Sequence, residues 1–82
     1  MNVRQFTLLP LTARAQYVWD HGKHLANRPG AFFVCSLYAV DSFYVEVLFH
    51  QPSSTIADMV GFEDTEKLSE YLDRLDLAKL LA

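Results

Sequence analysis

Three side chains in the middle of the chain could together perform thiol chemistry: Cys35, Glu46 and His50. A thiolate with a nearby imidazole as general base and a carboxylate to orient it is the composition of a cysteine nucleophile. A second group, His21 and His24, is spaced three residues apart; on one helix turn two imidazoles can clamp a metal ion, although a site wants three or four ligands. Each group has a structural reading. Cysteine in a strand behaves as a small hydrophobe, and a glutamate among apolar strand neighbours must find a partner or take up a proton. Tyr17, His21, His24 and Arg28 also share a stripe that reads as the solvated side of a helix. Neither group comes with a recognisable oxyanion donor, Gly-rich loop, phosphate-binding loop, paired-carboxylate signature or lipid-anchor motif, and no cofactor is expected.

The elements that must position these residues follow from periodicity. A helix is expected over about residues 10–28, where Leu11, Ala15, Val18, Gly22 and Leu25 fall on one stripe and Trp19 and Ala26 widen it. Pro10 suits the first turn, and Arg28 followed by Pro29-Gly30 suits the end. Ala31–Val40 and Phe43–His50 are rich in Phe, Tyr and Val and flank the polar pair Asp41-Ser42, which reads as a hairpin. A two-residue loop sets Val40 opposite Phe43, Tyr38 opposite Val45, Ser36 opposite Val47 and Val34 opposite Phe49. It also sets Cys35 opposite Leu48, with Glu46 and His50 as its diagonal neighbours, about 7–8 Å away.

In Thr55–Phe62, Ile56, Val60 and Phe62 fit alternation while Ile56, Met59 and Val60 fit a helical turn; a third, antiparallel strand is favoured, because the connection is hairpin-sized and a lone two-stranded hairpin is seldom stable. The last helix begins near Asp64 and buries Leu68, Tyr71, Leu72 and Leu75, with Asp76 capping a final turn at Leu77–Leu81. The expected fold is α+β in the order α-β-β-β-α: a three-stranded antiparallel meander with both helices on one face. Residues 1–82 form one domain.

The hairpin face opposite the helices carries Phe33, Cys35, Leu37, Ala39, Tyr44 and Leu48 around Glu46 and His50. A sheet covered on one side normally shows polar residues on the other. Here both sides are apolar, so something should cover the second. We read Phe33, Leu37, Tyr44, Glu46 and Leu48 as a candidate interface, most simply with a second copy about a twofold axis. The leading function is therefore a non-enzymatic protein-interaction module, a homodimer or the binder of one protein partner. The alternatives are a small thiol-dependent enzyme using Cys35, His50 and Glu46, and a small-ligand sensor with its pocket at the dimer interface. Leu77, Leu80 and Leu81 could dock in a partner's groove or fold back onto their own domain.

His21-Gly22 with Leu25-Ala26, Leu37-Tyr38, Phe43-Tyr44-Val45-Glu46-Val47 and Tyr71-Leu72-Asp73 with Leu75-Asp76-Leu77 resemble a group of short uncharacterised bacterial proteins. The resemblance covers most of the chain and implies a compact free-standing protein. It brings no catalytic residues.

Composition narrows the classes. Apolar types make up 51% of the 82 residues and charged types 21%, which excludes intrinsic disorder. No apolar run is long enough to span a bilayer. Arg4 and Gln5 precede only a brief Phe6–Leu11 stretch containing Pro10, unlike a secretion signal, so a cytoplasmic location is expected. The net charge of −3 is unevenly spread. Arg4, Arg14, Lys23 and Arg28 face only Asp20 in the first half, whereas nine carboxylates face Lys67, Arg74 and Lys79 in the second. Four scattered basic residues are too few for a phosphate-tracking surface, so neither nucleic acid nor membrane is expected as a partner. A single cysteine supplies neither an internal disulfide nor a paired-thiol zinc site.

Overall fold

The computed structural model describes residues 1–74. Its elements are α1 (Val3–Thr7), α2 (Leu11–His21), β1 (Gly22–Pro29), β2 (Phe33–Val40), β3 (Phe43–His50), β4 (Thr55–Phe62) and a C-terminal 3-10 helix (Thr65–Arg74). The four strands form one antiparallel meander in the order β1-β2-β3-β4. The α+β class and the third hairpin strand agree with the sequence reading. So does the β2–β3 register, residue for residue. Asp41 supplies the positive φ (51°) that the glycine-free turn needs, a conformation aspartate tolerates better than most residues. Its carboxylate accepts a hydrogen bond from the Tyr17 hydroxyl. That bond holds the Asp41 carboxyl below the ordinary carboxylate range.

The sheet has four strands where three were expected, because the long first helix stops at His21. Gly22 turns from helix directly into extended backbone (φ −84°, ψ 151°) with no intervening loop. A Cβ there would lie 2.5 Å from the Val18 carbonyl oxygen, so the abrupt junction requires glycine. Residues 22–29 then pair with β2 instead of extending the helix. A bulge between His24 and Ala26 puts Leu25 and Ala26, consecutive in sequence, into the same core cluster.

Two cores result. On one face α1 and α2 bring Phe6 and Val18 onto Val40, Phe43, Val45, Val47 and Met59. α1 begins with a reciprocal cap between Asn2 and Gln5, each side chain bonded to the other's backbone N–H. It sits close over β4: a Cβ on Gly61 would be 3.0 Å from Val3 and 3.1 Å from Phe6. Gly61→Val is therefore expected to push α1 outward and to cost about 1–3 kcal/mol by overpacking. Urea unfolding measures this, and a variant as stable as the parent would show that α1 has room to retreat.

On the opposite face Leu25, Ala26, Cys35, Leu37 and Phe62 are buried together with Tyr71 of the 3-10 helix. The two helices expected on one face thus become two on one face and the C-terminal segment on the other. The sheet is wide enough to need cover on both sides, and the chain itself supplies both. The C-terminal segment also winds as a 3-10 helix rather than an α-helix. The expected contributions of Leu75, Asp76, Leu77, Leu80 and Leu81 lie outside the described residues.

Candidate functional site

The second face is built in rows across the strands. Arg28, Cys35, Leu48 and Asp58 form one row, and Ala26, Leu37, Glu46 and Val60 the next. Strict alternation along β1 from His24 would send Arg28 to the α1/α2 face. The extra residue at the bulge reverses the phase and aims it at the second face instead. There one terminal nitrogen of Arg28 lies 3.7 Å from Glu46 Oε2 and 3.6 Å from Cys35 Sγ.

Tyr71 closes this cluster from above. Its hydroxyl donates to Glu46 Oε2 at 2.6 Å, and the Arg28 guanidinium lies 5.6 Å from the centre of its ring. The phenol is fully buried. Burial first, and then the hydrogen bond to Glu46, push its pKa far above that of a solvated tyrosine. The glutamate that had to find a partner has found two. Nearby, Tyr44 stacks on Phe62 at 5.8 Å, and Lys67 covers the outer side of the Phe62 ring at 5.2 Å.

Of the proposed thiol triad, Cys35 and Glu46 are brought to one cluster and His50 is held elsewhere. Its Nδ1 lies 2.6 Å from Ser53 Oγ, which in turn lies 2.7 Å from Thr55 Oγ1, and its ring packs on Phe33 at 5.0 Å. Among the described residues no hydrogen bond joins His50 to Cys35. Arg28, read as part of a solvated helix stripe, is instead the basic neighbour of the thiol. The bulge that places it has no mark in the sequence except the adjacent pair Leu25-Ala26.

His21 and His24 do not share a helix. His21 closes α2 with its ring 4.3 Å from that of Tyr17, while His24 lies in β1 with Nε2 2.8 Å from Asn27 Oδ1. Among the described residues no three His, Cys, Asp or Glu side chains are grouped as a metal site.

The candidate interface residues divide. Leu37 and Glu46 are buried within the chain, Tyr44 and Leu48 are half-buried, and Phe33 is 39% exposed. Phe33 belongs to a group of three phenylalanines around one end of the β2–β3 ladder. Phe32, just before β2, is 65% exposed and Phe49, on the other face, 36%. Trp19, half-exposed on α2, packs edge-on against Tyr38. No helix among the described residues is long and apolar enough to cross a membrane. Compared with protein-family models, with curated proteins and with solved structures, the chain matches none.

Proposed function

We propose that this protein is a non-enzymatic protein-interaction module that works as a homodimer. The observation that carries the reading is the exposure of Phe32 and Phe33 side by side where β2 begins. Single exposed apolar residues are ordinary, but grouped aromatic rings mark contact surfaces, where they bury much area at little entropic cost. Half-buried Leu48, beside Phe33 on the second face, extends the group toward the sheet. A twofold axis lets two identical patches cover each other. The basic first half and acidic second half favour encounter of two copies in opposed orientation.

Sedimentation at several concentrations tests the reading. The mass is expected to rise toward twice 9.4 kDa with concentration. A Phe32→Ser/Phe33→Ser variant is expected to remain at one chain. A parent protein that stays monomeric throughout would overturn the proposal.

A further inference from the structure

We propose that Arg14 and Asp58 form a clasp that seals the β4 edge of the sheet against strand addition by a second copy of the chain. This edge is a different surface from the one that carries Phe32 and Phe33.

The sheet is open, with β1 and β4 as its edges. An edge strand offers a row of main-chain N–H and C=O groups with which another strand can pair. In an antiparallel ladder the two groups of one residue point to the same side, and successive residues alternate sides. Met59 has both of its groups bonded to side chains. Its carbonyl accepts from Arg14 Nη1 at 2.6 Å, and its N–H donates to Asp58 Oδ1 at 2.8 Å. The main chain of Met59 therefore faces the open side of β4, and both of its groups are taken.

The two side chains arrive from opposite faces. Arg14 lies four residues before Val18 on α2, on the side of that helix that meets the sheet. Asp58 stands in the row with Leu48 and Cys35 on the second face. They meet around the edge, with Arg14 Nη1 3.6 Å from Asp58 Oδ1. The atoms of this ion pair are the same ones that bind Met59, so the three contacts hold one another in place. The arginine is half-buried, and its Nε meets no hydrogen-bond partner among the described residues. Leaving a buried donor unmet costs stability. What the placement secures is the edge.

The length of strand at stake shows why β4 needs a clasp. A bulge at Ala57, between Ile56 and Asp58, interrupts its first half. Beyond the bulge, Asp58–Phe62 would be a regular edge about as long as an ordinary strand. An antiparallel copy centred on Met59 would exchange N–H···O bonds between the two Met59 residues. With Met59 clasped, only Val60, Gly61 and Phe62 continue unbroken. The β1 edge is interrupted by other means: its bulge between His24 and Ala26, and Pro29, which has no N–H.

Sedimentation of variants made on the Phe32→Ser/Phe33→Ser chain tests the clasp apart from the aromatic contact. Arg14→Met/Asp58→Ala frees both groups of Met59 while keeping most of the arginine stem. Its self-association constant is expected to be at least tenfold above that of the clasped chain. The Met59 amide is expected to exchange at least tenfold more slowly as concentration rises, because a second strand then holds it. Asp58→Ala alone, at an exposed position, frees the N–H and is expected to shift both readings in the same direction. Arg14→Lys keeps a charge for the Met59 carbonyl and is expected to behave as the clasped chain. Unclasped chains that associate no more than the clasped one overturn the proposal. So does association that leaves the Met59 amide exchanging as before, the result of contact elsewhere than at this edge. Neither result touches the homodimer reading, which the parent chain's own mass decides.

Discussion

Tyr71→Ala is expected to lower the unfolding free energy by about 3–5 kcal/mol, the range for emptying a fully buried aromatic site. Three effects act together. The ring leaves a cavity beside Leu37 and Leu25. Glu46 loses the hydroxyl donor 2.6 Å away while remaining in an apolar environment. Arg28 loses the ring beneath its guanidinium. Tyr71→Phe isolates the second effect, since the ring stays, and is expected to cost about 1.5–3 kcal/mol for a hydrogen bond to a charged group.

The direction of the Tyr71 pKa shift adds a pH dependence. A phenol raised in the folded state is a stronger acid when the chain unfolds. Its contribution is thus fully present below the unfolded value of about 10 and is lost as the pH rises above it. Alkaline titration of stability in the parent and in Tyr71→Phe measures this, and the variant is expected to decline less steeply above pH 10. A Tyr71→Ala protein within about 1 kcal/mol of the parent would mean that the C-terminal segment contributes little to the fold in solution.

Phe6→Ala is expected to be equally damaging, at about 3–5 kcal/mol, by removing the centre of the other core. Phe6 is fully buried, with its ring 5.4 Å from that of Phe43 and against the open side of Gly61. α1 spans only Val3–Thr7, too short to persist without tertiary contact. Losing its one buried side chain therefore detaches the whole segment and opens Val45 and Met59 to water. Hydrogen exchange checks the mechanism: amides at Phe6, Leu8 and Leu9 should lose their protection in Phe6→Ala. Asn2→Ala, which removes only the cap, is expected to cost about 1 kcal/mol. Protected α1 amides in Phe6→Ala would show that the segment is held by something other than this ring.

The two sites differ in how far they could be read before folding. The hairpin was legible because its determinants are local. A two-residue loop and a period-two pattern leave one register that buries Val40, Phe43, Val45 and Val47 on the same side. The meeting of Cys35 and Glu46 on the second face follows from that register, and so does the need for a cover. The Asn2–Gln5 cap of α1 is equally local, a pair of side chains three residues apart.

β1 departs from its local pattern for a physical reason. Leu11, Ala15, Val18, Gly22 and Leu25 keep helical spacing, and the bulge after His24 breaks the alternation that would have marked a strand. Pairing with β2 outweighs the local pattern, since it satisfies the β2 backbone and lets Leu25 and Ala26 cover Leu37. The functional consequence is large. As part of a helix, Arg28 would face water; as part of a bulged strand, it meets Glu46, Cys35 and Tyr71.

Alternation and turn length, acting between near neighbours, sufficed to determine the β2–β3 hairpin, its register, its doubly apolar character and the presence of a glutamate within it. Only the tertiary structure decided what meets that glutamate. Arg28 comes from β1 and Tyr71 from the C-terminal 3-10 helix, on either side of Glu46 in the sequence, and long-range pairing and burial bring them together. Those terms depend on the whole packed sheet, and no local spacing records them.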